Sequence, residues 1–276
     1  MTMARLTLTN GKSVVKPFNR IWIVLAVVIV LGLIFGYIIK LDSEGISFKP
    51  DQLPIILKKL FSPHRGETWA DYFAYIPKLQ NVLIMTLEMC YGGTVIGSAL
   101  AIPTALLSSR NIVKTKWIYG PARFLLNLFR TIPVTVLAVI SIGLVGIAGG
   151  STLAGTIAIT LFTYGVMAKM LYELIETIDM NCYEAIESTG ASHLQAIRFA
   201  VLPQIYASFA GYVIYVFEMN VRSSAILSYV GIVSIGTIMR IYEMTDYDKV
   251  GGAVILLFGV CVVIQLCSDL ARRKLQ

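Results

Sequence analysis

The side chains of this sequence that could do chemistry are a few ionisable and polar groups inside long apolar stretches. Glu218 and Arg222 lie four residues apart, so a helix would place them on one face, where their charges neutralise each other. Glu88 interrupts another apolar stretch. Such groups are candidates for a solute path, although Glu88 could equally be a protonated carboxyl bonded to a neighbouring helix, and Arg222 a brace for Glu218. The candidate set is Glu88, Glu218, Asn220, Arg222, Ser223 and Ser224.

The longest polar interruption in the second half of the chain runs from Asn181 to Gln204. Its sequence predicts two short helices joined by a turn. We expect Asn181 to cap the first helix, and Gly190 to end it in the left-handed conformation. Ser192 and Gln195 have the spacing of a capping box for the second helix, which is predicted to stop at Pro203.

The second of these helices is predicted to be amphipathic. Leu194, Ile197 and Val201 recur on one face, which should pack against an apolar surface. His193 and Arg198 are then expected to turn away from that surface.

The composition is that of an integral membrane protein. Hydrophobic residues make up 57% of the 276 residues and charged residues 14%, and the mean hydropathy is +0.75. Soluble domains carry nearly twice that share of charge. The net charge of +7 comes from short basic clusters beside apolar stretches, unlike the basic face that binds nucleic acid, so no nucleic-acid partner is expected.

Basic clusters without acids predict which segments face the cytoplasm. Residues 1–20 and 110–123 each hold four basic residues and no acid, and residues 272–274 are all basic. The positive-inside rule places these three segments in the cytoplasm. We therefore predict an all-α integral membrane protein with six transmembrane helices and both termini in the cytoplasm.

The apolar and polar segments divide the chain accordingly. The first apolar run is too long for a cleaved signal peptide and lacks a small-residue cleavage site, so we expect an uncleaved first span. The predicted division is a cytoplasmic tail at 1–20, the first transmembrane helix at 21–40, an extracytoplasmic segment at 41–80, a transmembrane core at 81–270 that includes the cytoplasmic loop 179–203, and a tail at 271–276.

Three local features of these segments are predicted. Residues 53–61 should form a short amphipathic helix on the membrane surface, and the aromatic residues between Trp69 and Tyr75 favour interfacial anchoring over a landing surface for a partner. Gly93, Gly97 and Ala101 recur every four residues and predict a close-packing seam in the second span. Pro133 should kink the third span, which is predicted at residues 124–147.

The sequence contains few residues that could form a catalytic or metal site. His64 and His193, the only histidines, are expected on opposite sides of the membrane and so do not form a pair. The four cysteines include no C-x-x-C pair and indicate neither a zinc site nor a disulfide framework. Residues 11–13 read Gly-Lys-Ser but lack the first glycine of a phosphate-binding loop. We expect a non-catalytic chain that binds no metal or cofactor itself.

Glu184, Ala185, Gly190, Leu202 and Pro203 together resemble the EAA loop of permeases of ATP-binding-cassette importers. Ile186 stands where that family has a second alanine, and Ala200 where it has isoleucine. The resemblance implies a type I importer permease fold and a loop that couples to an ATPase. The residues implied in coupling are Glu184, Ala185, Glu187, Gly190, Ala191, His193, Leu194, Leu202 and Pro203.

The segment from Phe217 to Ser224, with Tyr229, Gly231 and Gly236, resembles phosphonate-importer permeases more closely than amino-acid or molybdate permeases. The glycine-rich run of that family is replaced here by Ile232, Val233 and Ser234. The resemblance implies a homodimer in the cytoplasmic membrane of a prokaryote, in contact with lipid. It also implies two ATP-binding-cassette ATPase subunits that bind ATP and Mg, and an extracytoplasmic solute-binding protein.

Other functions are open at this point. The same architecture could import phosphite, phosphate or methionine. A secondary transporter would need no ATPase, but two matching halves of inverted topology are not found. The polar loop could be a plain capped hairpin in which Glu184 serves only its own helix. A DNA-binding helix-turn-helix is disfavoured because Glu184 and Glu187 would repel phosphate.

Overall fold

The computed structural model of the chain describes residues 5–7, 13–15, 21–42, 51–63, 67–146 and 151–275. They belong to two compact units, Met1–Leu53 and Pro54–Gln276. In the first unit β1 (Arg5–Thr7) pairs antiparallel with β2 (Ser13–Val15), with Arg5 opposite Val15. The helix α1 (Ile21–Asp42) follows and confirms the predicted first helix; its side chains at 21–38 are exposed within the unit.

After α1 the described chain is helical, with short connections. In chain order it contains α2 (Gln52–Leu60), α3 (Trp69–Tyr75), α4 (Gln80–Ser108), α5 (Lys116–Thr131), α6 (Val134–Val145), α7 (Ser151–Ile175), α8 (Asn181–Ser188), α9 (His193–Ala196), α10 (Leu202–Leu227), α11 (Ile235–Tyr242) and α12 (Tyr247–Leu275). A 3₁₀ turn at Ile76–Leu79 leads into α4, and a π turn at Ile197–Val201 joins α9 to α10.

Five stretches of the described chain are long and apolar enough to cross a membrane, and α5 with α6 would add a sixth span if the bent pair is counted as one. The prediction of six spans therefore holds with that pair included. The five stretches are Ile21–Ile38, Trp69–Ser108, Thr152–Ile175, His193–Val230 and Tyr247–Leu270.

The predicted surface helix and aromatic patch before the core become α2 and α3. Thr68 caps α3 through a capping box, in which Asp71 Oδ2 accepts from the Thr68 N–H at 3.0 Å. Tyr72 is buried, and its hydroxyl donates to the Leu60 carbonyl at 3.2 Å. Trp69 and Phe73 are more than half exposed. The aromatic patch is therefore split between Tyr72 and Tyr75, which pack inward, and Trp69 and Phe73, which face outward.

The close-packing seam predicted in the second span is confirmed between α4 and α7. A Cβ added to Gly93 would lie 2.6 Å from Ile159 Cγ2, and one added to Gly97 would lie 2.6 Å from the Thr160 carbonyl oxygen. Ala101, the next member of the row, is fully buried. Small residues let the two backbones approach because no side chain separates them.

The predicted third span is sharply bent. α5 and α6 meet at 95° around Ile132 and Pro133. Proline disfavours the helical conformation of the residue before it, and Ile132 is extended with ψ 121. The kink at Pro133 is confirmed, and the predicted start of the span at Phe124 falls within α5, the first half of the bent pair. α6 packs on α7 and has only 12 residues, about 18 Å of helix.

Candidate coupling loop and polar groups of the spans

The first helix of the polar loop, α8, is not capped by Asn181, contrary to the sequence-based prediction. Asn181 is already helical, and its N–H donates to Asp179 Oδ1 at 2.9 Å. The carboxylate of Asp179 takes this role because its short side chain reaches a free N–H of the first turn. Glu184 is exposed in that turn, and no described residue bonds its carboxylate. That carboxylate is free to contact another molecule.

The turn after α8 has the predicted geometry. Gly190 has φ +88, in the left-handed region, and its N–H donates to the Glu187 carbonyl at 3.0 Å. The capping box before α9 is also confirmed, since the Ser192 N–H donates to Gln195 Oε1 at 2.8 Å and the Gln195 N–H donates back to Ser192 Oγ. Both ends of the turn are therefore held by local hydrogen bonds.

A cluster of three side chains joins the two helices of the loop. The Tyr183 hydroxyl donates to Glu187 Oε1 at 3.2 Å and is also hydrogen bonded to His193 Nδ1. The tyrosine and imidazole rings meet edge to face, with centroids 5.7 Å apart. His193 was expected to turn away from the apolar surface under its helix. Its side chain is 51% exposed, but the turn at Gly190 also brings its ring into contact with Tyr183.

The environment of Tyr183 keeps its hydroxyl protonated. Burial is the largest influence, and the charge and hydrogen bond of Glu187 add to it, so that the pKa of Tyr183 rises to about 12. The side chain is 5% exposed. The sequence shows Tyr183 and Glu187 one turn apart on α8, but the contact with His193 depends on the angle of the turn.

The second helix does not stop at Pro203. A continuous helical stretch runs from His193 to Val230. The π turn before the proline makes this possible. The Leu202 N–H donates to the Ile197 carbonyl, and this wider turn accommodates the proline ring and the absence of a proline N–H donor. The polar loop is therefore mechanically continuous with α10.

The predicted apolar face of this helix is only partly confirmed. Ile197 and Val201 are buried in a core that also holds Ile175 and Ala196. Leu194, by contrast, is 77% exposed. Leu194 lies at the start of the helix, before Ala196, which is the first residue of the helix that is buried in that core. Most of the residues implied in coupling share this exposure: Glu184, Ala185, Glu187, Gly190, His193, Leu194, Leu202 and Pro203 are exposed, and Ala191 is half-buried.

A second ionic cluster, which the sequence did not reveal, lies beside the loop. The Arg123 guanidinium of α5 pairs with the Glu176 carboxylate that follows α7, and its Nε donates to the Ser108 carbonyl at 2.7 Å. The Arg110 N–H donates to the same Glu176 carboxylate at 3.1 Å. The C-terminal ends of α4 and α7 are thereby tied to the middle of α5. The residues that meet here are far apart in the sequence, so no spacing between neighbouring residues could predict this cluster.

Two of the predicted path residues are packing groups within the protomer. Asn220 is 1% exposed, and its Nδ2 donates to Thr94 Oγ1 and to Thr163 Oγ1, both at 2.8 Å. This amide connects α10 with α4 and α7. Ser224 is fully buried, and its carbonyl accepts from Ser234 Oγ at 2.8 Å. Both residues face neighbouring helices and have no open surface here.

Arg222 and Glu218 form the predicted ion pair. The Glu218 side chain is 9% exposed and that of Arg222 is 58% exposed, so the carboxylate is enclosed while the guanidinium reaches outward. Arg222 lines a groove of about 370 Å³ whose wall on α12 includes Cys261 and Gln265. Ser223, the next residue, is half-buried. The guanidinium is the charged group of this pair that a solute could reach.

Glu88 lies in a different place from the other path candidates. It is exposed on α4 rather than enclosed, and it lines an apolar groove of about 790 Å³ with Tyr91 and Phe217. No described residue forms an ion pair with it. The exposed path candidates therefore lie in two grooves. Glu88 lines one, and Arg222, which is paired with Glu218, lines the other.

The part of the chain that the structure describes contains no candidate metal site. No three His, Cys, Asp or Glu side chains there are placed to hold a metal ion. The cysteines are free thiols; Cys90 is buried, and Cys182 and Cys267 are exposed. His64 lies outside the described residues.

Comparison with known proteins settles the family. Residues 93–276 match the family described as binding-protein-dependent transport system inner membrane component. This chain belongs to that family. The matched region starts within α4 and includes the polar loop, the Glu218 and Arg222 pair and α12.

Two relatives of the chain are named for phosphorus oxyanions. The phosphite transport system permease protein PtxC of Stutzerimonas stutzeri is 31% identical over 209 residues, which cover 75% of this chain and 75% of that protein. The phosphate-import permease protein PhnE of Mycolicibacterium smegmatis is 33% identical over 183 residues, 66% of this chain. The match covers 34% of the mycobacterial protein, so the chain spans about a third of that relative.

Solved structures share the fold. A chain of the MetNI methionine ABC transporter in an inward-facing conformation has a TM-score of 0.66 at 22% identity, with 72% of this chain and 96% of that chain covered. A chain of a bacterial ABC transporter that imports alginate has a TM-score of 0.61 at 17% identity, with 93% and 99% covered. The predicted type I importer permease fold is confirmed.

Proposed function

We propose that this chain is the transmembrane permease subunit of an ATP-binding-cassette importer for phosphonates or related phosphorus oxyanions in the cytoplasmic membrane of a prokaryote. The observation that carries the proposal is the α8–α9 hairpin. It is exposed, braced by the Tyr183–His193 contact, and continuous with the helix that carries Arg222. The names of the phosphite and phosphate relatives support the class of solute.

The importer requires partners that this chain does not supply. Its sequence lacks a complete phosphate-binding loop, so two separate ATPase subunits would bind ATP and Mg. Two copies of the chain would form a homodimer around the solute path. An extracytoplasmic binding protein would select the solute, and the path itself would then need little affinity.

The hairpin would couple ATP hydrolysis to the path through its own rigidity. The free carboxylate of Glu184 and the exposed side chain of Leu194 provide a polar and an apolar contact for an ATPase. Closure of the ATPases would displace the hairpin, and the continuous helix would carry that displacement to Arg222, about 29 residues and about 43 Å further along. The spans would then alternate between outward and inward access.

Arg222 suits an anionic solute. A guanidinium presents several N–H donors in a plane and binds oxyanions of phosphorus through two hydrogen bonds at once. Glu218 offsets its charge, which would keep the solute from binding too tightly to leave. Ser223 and Glu88 are the other path candidates with accessible surface.

Purification and reconstitution test the proposal. The chain should copurify with an ATPase, and the ATPase activity of the reconstituted complex should rise when a loaded binding protein is added. A panel of methylphosphonate, phosphite, phosphate and methionine on the binding protein identifies the solute. Stimulation by methionine alone would replace the oxyanion assignment. Uptake by the purified chain on an ion gradient, without an ATPase, would overturn the importer and indicate a secondary transporter.

A further inference from the structure

The helix α5 lies at a large angle to the helix that follows it. It meets α6 at 95°, and α6 packs on the transmembrane helix α7, so α5 lies across the direction of α6. Its Arg123 bonds the carbonyl of Ser108 at the end of α4 and the carboxylate of Glu176 beyond the end of α7. These two ends face the cytoplasm in the predicted topology. In that topology, with α6 inside the membrane, α5 would lie along the cytoplasmic membrane surface.

The two sides of α5 are both apolar, but only one is covered. Leu126 is 2% exposed and belongs to the core. On the opposite side, side chains at helical spacing form an uncovered surface, with Trp117 90% and Phe124 69% exposed. The members of this face of α5 are Trp117, Pro121, Phe124, Leu125 and Leu128.

The charged side chains on α5 and just before it are all basic. Lys114, Lys116 and Arg130 are exposed, and none of them forms an ion pair with a described residue. The sequence holds no Asp or Glu between residues 89 and 172, so no acid of α5 or of its connections could neutralise them. Unpaired basic side chains beside an apolar face complement a membrane surface, where anionic headgroups lie above the apolar acyl chains.

We infer that α5 is a binding site for anionic phospholipids of the cytoplasmic leaflet. The face from Trp117 to Leu128 contacts acyl chains, and Lys114, Lys116 and Arg130 contact the phosphate groups at the level of the headgroups. A zwitterionic lipid offers a phosphate whose charge its own ammonium group offsets, so an anionic lipid binds more strongly. Arg123 takes no part, because Glu176 already holds it. The inference goes beyond transport and does not depend on which solute is carried.

A second copy of the chain is the competing occupant of this face. In a symmetric contact of α5 with α5, the same basic edge would approach itself. Because residues 89–172 offer no acid, that contact would bring like charges together without compensation. Charge therefore favours the lipid.

Fluorescence of Trp117 tests the inference. The chain with Trp22→Phe and Trp69→Phe retains Trp117 as its single tryptophan. It is reconstituted in vesicles of phosphatidylcholine mixed equally with phosphatidylglycerol, with bromine on the acyl chains of one lipid at a time. We expect quenching by both lipids, with at least a twofold stronger effect of brominated phosphatidylglycerol. High salt should remove most of the difference.

Charge-removing variants show whether the basic edge causes the preference. Lys114→Gln with Lys116→Gln and Arg130→Gln should equalise quenching by the two lipids while Trp117 stays quenched. The matched control, Lys58→Gln with Lys59→Gln on α2, should keep the preference. Equal quenching by both lipids in the unaltered chain would overturn the inference. So would an absence of quenching together with disulfide cross-linking of Trp117→Cys between two copies, which would identify this face as a dimer contact.

Discussion

The Tyr183 hydroxyl and the His193 imidazole are hydrogen bonded across the turn at Gly190. Tyr183 lies in the core that includes Leu171 and Ile175 of α7 and Val216 of α10, whereas His193 starts the exposed helix α9. One bond therefore connects the hairpin to the packed ends of the spans. A displacement applied to either helix of the hairpin should move the other with it.

Removing the Tyr183 hydroxyl should weaken coupling without unfolding the chain. Tyr183→Phe keeps the ring in the core and deletes the bonds to His193 and Glu187, at a cost of about 1 kcal/mol. We expect less stimulation of ATPase activity by loaded binding protein, with basal activity unchanged. Tyr206→Phe, at a position 65% exposed on α10, is the matched control. Full stimulation in Tyr183→Phe would show that the bond has no role in coupling.

The same variant should alter stability at alkaline pH. The pKa of Tyr183 is about 12 in the folded chain, whereas an unfolded tyrosine has a pKa of about 10. The folded state holds the proton more tightly, so this contribution is complete below about pH 10 and is lost as pH rises through about 12. Thermal unfolding should show the unaltered chain losing more stability than Tyr183→Phe across that window. Parallel pH curves would contradict the burial of the hydroxyl.

Gly190→Val should uncouple the hairpin. A β-branched residue is strained by about 1–3 kcal/mol at the left-handed φ of +88, and the relaxed turn would redirect α9. The spans should still insert, but uptake and the stimulation of ATPase activity should both be lost. Gly190→Asn is the control, since asparagine tolerates this conformation, and it should retain most activity. Normal uptake in Gly190→Val would reduce the loop to a capped hairpin.

Exchanging the charges of Glu218 and Arg222 separates a brace from a solute contact. Because the guanidinium reaches outward and the carboxylate is enclosed, Glu218→Arg with Arg222→Glu should assemble but fail to transport an anion. The matched control is the exchange of Lys169 and Glu173, a pair with the same spacing on α7. Uptake measured in vesicles decides the matter, and restored transport in the double variant would make Arg222 a brace only.

Thiol labelling tests the orientation of the chain in the membrane. In a background with Cys182→Ser and Cys267→Ser, an impermeant reagent added outside should modify Ser62→Cys and spare Thr115→Cys. Permeabilised membranes should allow both to react, which controls for buried thiols. The reverse pattern would place the polar loop outside and remove its contact with an ATPase.

Much of this protein could be read from short-range patterns. Apolar runs of sufficient length mark the membrane spans, because a helix must satisfy its own backbone in lipid and about 20 residues cover the apolar layer. Ser192 with Gln195 and Gly190 predicted the turn of the loop correctly, since capping and left-handed φ depend on neighbouring residues. The Gly93 and Gly97 row predicted a seam for the same reason: the spacing alone puts small residues on one face.

The tertiary structure decided what depends on the meeting of distant segments. The pairing of Arg123 with Glu176, the bond of Tyr183 to His193, and the amide of Asn220 between two threonines each require helices whose relative placement no local pattern encodes. The π turn carries the helix past Pro203, where the sequence predicted a stop, while Ile197 and Val201 pack into the core. At Pro133 the local preference of proline predicted a kink, but the angle of 95° is seen only in the tertiary structure. Local sequence thus determined which segments are helical and which side of the membrane they are expected to face, and the energetics of packing decided which side chains meet.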